Sequence, residues 1–357
     1  MKKRLEERNK KIIDAIVKKA EKVCPGSLAL IGVYGSFMTG DIYEKSDLDL
    51  LILINDDNGW QLGCTFIQDD LMVGHDLYCT DWKSLQQDAC YEHPNISKLM
   101  DAKIVYCADE IYVKRLQELR ENVVAILDAP FTKQDFDKSV VHLKNAEHFY
   151  TEAMISGVPS EVWTQAANVI CNLQNAVAML NKKYFHYGVK RTYEELEAMH
   201  YKPQKFCELI EAVISAESLE NIKRRLTVLI KETKPVFANV EMQFATPKSP
   251  ASADNLRGTY EEMYSNWRNK MYYAAEKENK YLAFMSMNSF QTMLSEIAQN
   301  IEIESYNVLD GYNSSDLLKT SKVYDMVLEA YRNEYTKVGM SEKHYADIDA
   351  FVEDYLK

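Results

Sequence analysis

The stretch Ala29–Ile54, ALIGVYGSFMTGDIYEKSDLDLLILI, is the part of the chain from which the rest can be read. Its first run, Leu28 to Tyr34, is apolar and β-prone and stops abruptly at Gly35-Ser36. Its second run, Leu48 to Ile54, is long enough for a buried strand. Asp47 and Asp49 precede and interrupt that second run. Strand residues two apart leave from the same face, so the two carboxylates project together. Alone, that pair costs repulsion and desolvation. A cation between them relieves both, and Mg²⁺, hard and oxygen-seeking, is the expected one when it arrives with a nucleotide's phosphates. Gly35 lets backbone approach a ligand with no Cβ in the way. Ser36 adds a hydroxyl, and a short helix starting there would aim free N–H groups at a phosphate.

A turn followed by a strand charged at its start explains Gly35 and Asp47. It does not explain Asp49, which sits inside an otherwise apolar run. Tyr34-Gly35-Ser36, a connector, and Ser46-Asp47-Leu48-Asp49 before an apolar strand together resemble the signature of the nucleotidyltransferase superfamily, the polymerase β-like enzymes. The resemblance implies an α+β N-terminal nucleotidyltransferase domain, a small mixed sheet with helices, followed by all-α helical-bundle regions. It also implies that Asp47 and Asp49 bind two Mg²⁺ ions and that Gly35 and Ser36 hold the phosphates of ATP or another nucleoside triphosphate. A third metal-binding carboxylate is expected from a later strand, and Asp76 in VGHDLY matches that place. Asp81, directly before Trp82, reads instead as a helix cap. Asp69 and Asp70 read as turn residues, and His75 as strand surface or a neighbour of the site.

Composition sets outer bounds. The chain has 357 residues, 46% hydrophobic and 27% charged, which is ordinary for a folded protein of two or three domains. No apolar run approaches a membrane span, and the charged start MKKRLEERNKK does not resemble an export signal. Seven cysteines without a C-x-x-C pair argue against a zinc ribbon or disulfide scaffold and fit the cytoplasm. A net charge of −12 argues against nucleic acid as a partner and is compatible with a cationic small substrate.

Along the chain, Leu5 to Val23 has an amphipathic helical pattern closed by Pro25-Gly26. Cys64–Ile67 and Leu71–Tyr78 read as a hairpin adding two strands to the sheet. Ala102–Cys107 reads as a further strand, followed by a helix to about Leu127. The expected domains are residues 1–130 for catalysis, 131–242 for a helical bundle, 243–258 for a Pro- and Ser-rich linker and 259–357 for a C-terminal helical domain. Thr132 with Asp135 resembles a helix start, and Pro159 opens another helix.

A sheet followed by a bundle looks like the aminoglycoside and lincosamide nucleotidyltransferases, and TQAANVICNLQNAVAMLNKKYF is distantly similar to the helical domain of the kanamycin enzymes. That resemblance implies transfer to a small hydroxylated acceptor, an antibiotic among the options, with a general base from the bundle. Glu147 and Glu152 are the candidates, and Lys144 would either pair with Glu147 or touch a phosphate. The Met- and Tyr-rich stripes after residue 259 read first as helical core or homodimer surface, and second as a substrate surface. The alternative to an enzyme is a non-catalytic nucleotide-sensing or toxin-neutralising protein of the same fold.

Overall fold

The computed structural model describes residues 2–357 and divides them into two compact units, to residue 245 and from residue 246. Helix α1 (Lys2–Val23) lays Ile16 and Ala20 against the first sheet, and Pro25 and Gly26 follow its end. Strand β1 (Leu28–Val33) is buried along all but its last residue, as an apolar run with no alternation demands. The single-turn helix α2 (Ser36–Thr39) follows at once. Strand β2 (Leu50–Ile54) is buried throughout and runs antiparallel to β1, with Ile31 opposite Ile52.

The hairpin β3 (Cys64–Gln68) and β4 (Val73–Leu77) forms as expected, with Thr65 opposite Asp76. It does not extend the main sheet, however, but makes a two-stranded sheet of its own. The strand that joins is β5 (Cys79–Asp81), parallel to β2 at Ile52 and Cys79. The chain leaves the hairpin through exposed Tyr78, and only beyond it do Cys79 and Thr80 enter the core. Two short helices, α3 (Trp82–Asp88) and α4 (Ser97–Met100), lead to β6 (Lys103–Cys107), antiparallel to β1 on its other side. The order is therefore β5-β2-β1-β6, a small mixed sheet. Helix α5 (Glu110–Asp128) starts at the cap Asp109 and packs Leu116, Leu119 and Val123 beneath that sheet.

Helices α6 (Lys133–Ile155) and α7 (Pro159–Leu180) form a closely packed pair joined by three residues. Thr132 and Asp135 make a reciprocal capping box at the start of α6. Helices α8 (Thr192–Glu197), α9 (Phe206–Ile214) and α10 (Leu219–Glu241) complete a bundle, with α10 lying across α6, α7 and α9. Its core includes Phe136, Leu143, Val169, Leu173, Phe206, Leu226 and Phe237.

The second unit begins inside the expected linker. There β7 (Ser249–Pro250) and α11 (Ala253–Leu256) form, the helix closed by a Ser252–Asn255 capping box. Leu256 is fully buried in that unit's core, which is why the segment is ordered despite its polar composition. Helices α12 (Thr259–Tyr264), α13 (Asn266–Glu276), α14 (Lys280–Asn300) and α15 (Leu317–Lys337) build the rest, with β8 (Ile301–Glu302) parallel to β7. The Met and Tyr stripes supply this core through Met271, Met287, Phe290, Tyr324 and Tyr331. The buried tyrosine hydroxyls have partners: Tyr324 donates to the Met263 carbonyl at 2.6 Å, and Tyr331 meets Thr259 Oγ1 at 2.7 Å. Helix α16 (Ile348–Tyr355) buries no residue. No helix among the described residues is long and apolar enough to cross a membrane.

Candidate active site

The site grows from the β1–α2 turn. Gly35 has φ 66° and ψ −145°, backbone that residues with a Cβ avoid. The reason lies in its neighbour: a Cβ on Gly35 would sit 2.7 Å from Asp49 Cγ. The Asp49 carboxylate thus packs onto the glycine's bare Cα, where the nearby Ser36 backbone N–H favours its charged form. Tyr34 N–H donates to the Asp49 carbonyl at 3.2 Å, which continues the β1–β2 pairing to the turn. Regular strand begins at Leu50, so Asp47 and Asp49 lie on the extended lead-in, with Leu48 between them buried in the core.

Burial and the adjacent Asp47 both push the Asp49 carboxyl above its ordinary value, and the Ser36 N–H offsets them only in part. Tyr34 reports the wider field. Its phenol is pushed up to about 12, first by burial and then by Asp49, Asp47 and Asp76. All three predicted carboxylates therefore bear on one tyrosine. On β4, side chains alternate, so His75 turns inward and Asp76 outward. A pocket of about 360 Å³ is lined by Asp47 and Asp76 with Thr65, Phe66, Gly74 and His75. His75 stacks on Phe66 with ring centroids 4.9 Å apart, and burial first, then the Arg8 charge, lowers its pKa. Ser36 Oγ is buried and has no hydrogen-bond partner.

Among the described residues, no three His, Cys, Asp or Glu side chains are disposed to hold a metal ion as they stand. The donor set nonetheless suits Mg²⁺, which is ordinarily held by one or two carboxylates together with phosphates and water rather than by a protein cage. The partnerless Ser36 hydroxyl and the raised Asp49 both mark polar groups that lack a counterpart.

The bundle residues are placed differently. Glu147 Oε1 lies 2.7 Å from Lys234 Nζ, an ion pair between α6 and α10. Glu152 and Lys144 are exposed on α6. Among the described residues, none of the three makes a hydrogen bond or ion pair with the Gly-Ser turn or the three aspartates. What reaches the connector after α2 is the segment before α8, where Lys190 and Arg191 meet Asp41. Sequence reading did not single these out, because 150 residues separate them from Asp41 and no spacing rule links them. Arg8 was also missed. It donates from α1 to the Ser46 carbonyl at 2.8 Å, directly before Asp47. Asp81 caps α3 as expected, accepting from Ser84 N–H at 2.7 Å.

No protein-family model matches this chain, and no curated protein matches its sequence. Among solved structures, the chain is similar to a nucleotidyltransferase-like protein from Exiguobacterium sibiricum 255-15. The identity is 12%, the match covers 60% of this chain and 70% of that one, and the TM-score is 0.33. That similarity gives the kanamycin-type subfamily no support. A functional reading therefore rests on this chain's own residues.

Proposed function

We propose that this chain is a Mg²⁺-dependent nucleotidyltransferase that moves a nucleoside monophosphate, AMP from ATP in the first instance, onto a hydroxyl of a small acceptor. One observation carries the reading: Asp47 and Asp76 line one pocket close to a glycine-only turn where Asp49 packs and whose serine hydroxyl has no partner, with half-buried Tyr34 in the field of all three carboxylates. Asp47 and Asp49 are the groups to hold the cation, with Asp76, which lines the same pocket as Asp47, as the third carboxylate. Once bound, Mg²⁺ would neutralise triphosphate charge and lower the pKa of a coordinated hydroxyl. Gly35 lets the Asp49 carboxylate lie against the turn, and the partnerless Ser36 Oγ is the group to donate to a phosphate oxygen. Tyr34, kept neutral by its surroundings, walls the site without adding charge. The acceptor oxygen bonds to the α-phosphorus in line, the bond to the β-phosphate oxygen breaks, and pyrophosphate leaves. A carboxylate of the site receives the acceptor's proton. The net charge of −12 favours a small, hydroxylated and cationic acceptor of the aminoglycoside type over nucleic acid.

A second reading has one observation behind it. The Asp49 carboxylate occupies the space against the Gly35 Cα, which suits a nucleotide-sensing or toxin-neutralising protein that keeps the fold without turnover. Calorimetric titration with a non-hydrolysable ATP analogue, with and without Mg²⁺, tests both against the Asp47→Ala/Asp49→Ala variant. Metal-dependent binding lost in the variant, together with pyrophosphate release in an acceptor screen, supports transfer. Binding without release supports the sensor. Affinity indifferent to a chelator contradicts the metal scheme.

A further inference from the structure

Helix α2 is a single turn, too short to hold itself. It ends at Gly40, with φ 84°, and the connector 41–49 that follows contains no regular element. Its end is nevertheless fixed. The Thr39 hydroxyl donates to Asp41 Oδ2 at 2.7 Å, and the same oxygen lies 3.6 Å from Arg191 Nη1. Lys190 Nζ donates to the Asp41 carbonyl at 3.4 Å and sits 4.5 Å from the centre of the Tyr43 ring.

Arg191 is itself held on three sides. Its Nε and Nη2 donate to the two Glu194 oxygens at 2.7 and 2.6 Å. Its guanidinium carbon lies 3.7 Å over the Tyr187 ring. One edge and one face are thus committed, and Nη1 remains to meet Asp41. A planar fork can serve a carboxylate, a ring and a second carboxylate together; an ammonium cannot.

We propose that Arg191 is a positioning residue that sets the Ser36 turn from the bundle, through Asp41 and Thr39. The functional half of this inference rests on reading that turn as a phosphate site; the structural half does not. Without the clamp, the turn loses its far anchor and the Ser36 hydroxyl no longer stays where a phosphate needs it.

Two measurements on the full-length chain separate the halves. The first is amide hydrogen exchange without ligand in wild type, Arg191→Met, Arg191→Lys and Asp41→Asn. Faster exchange is expected at Met38, Thr39 and Gly40, whose N–H groups close the turn, with β1 and β2 unchanged. The second is titration with the non-hydrolysable ATP analogue and Mg²⁺. Arg191→Met and Asp41→Asn are each expected to weaken binding roughly tenfold, and the double variant no further than either alone. Arg191→Lys is expected to stay near the methionine variant. Turn exchange unchanged in Arg191→Met overturns the inference, whatever the binding shows. So does a lysine variant with wild-type exchange and affinity, or a double variant whose losses add. Faster exchange in a chain whose wild type binds no nucleotide upholds the clamp and removes the nucleotide reading instead.

Discussion

Gly35 and Asp49 fit each other as shape to shape, and each predicts a distinct outcome. Gly35→Ala forces a Cβ onto the Asp49 carboxylate and leaves the residue in backbone reserved for glycine. The expected cost is about 1–3 kcal/mol in urea denaturation, with loss of nucleotide binding by calorimetry. Asp49→Asn should behave in the opposite way. It keeps the shape and an acceptor for the Ser36 N–H but removes a charge that burial and Asp47 disfavour. A carboxyl raised in the fold contributes its stability below its ordinary value near 3.8 and loses it as pH rises through the raised one. At neutral pH the aspartate therefore carries the whole penalty. The asparagine variant should melt above wild type in chelator, yet fail to bind Mg²⁺ and nucleotide. A wild-type protein that melts higher in chelator would contradict the repulsion.

At the scale of elements, the segment between α7 and α8 is tied to the sheet domain by Asp101. Tyr184 donates to Asp101 Oδ1 at 2.9 Å, and His186 Nδ1 lies 3.3 Å from the same oxygen. The bond to Asp101 raises the His186 pKa against the opposing effect of partial burial. Stabilisation from a raised histidine is complete below its ordinary value of 6.5 and fades as pH rises through the folded value. The gap in melting temperature between wild type and His186→Asn should thus be widest below the ordinary value of 6.5 and shrink as pH rises through the raised one. The effect is small, since His186 is half exposed. A gap independent of pH would show the ring acting by packing alone. Helix boundaries of this kind were legible where a local rule writes them, as at Thr132–Asp135, Asp81 and Pro159. Buried β2 was legible because five apolar residues in a row have no other reading. The separate β3–β4 sheet was not, because the pattern that marks a strand does not say which strand it pairs with. Of the proposed site, Gly35, Ser36, Asp47 and Asp49 are candidates from their spacing and Asp76 from the resemblance. Arg8, Asp41 and Arg191 could not be found this way, since long-range ion pairs and hydrogen bonds leave no period in a sequence.

For the molecule as a whole, each unit closes its own hydrophobic core, and Leu256 shows where the second begins. Leu256→Ala should cost about 2–5 kcal/mol in the unfolding of residues 246–357, where the residue is fully buried. Hydrogen exchange should show the loss in α12 to α15 and leave β1 and β2 protected as in wild type. An equal loss in both units would mean that they unfold as one.

The strand order β5-β2-β1-β6 draws every strand from residues 28–107. On the ribosome, all four have been made before α6 exists, so the sheet can pair while the bundle is still being synthesised. Arg191 follows more than eighty residues later. The turn at Gly35 is therefore built early and fastened late, and a chain halted between those two moments would carry a complete sheet around an unclamped site.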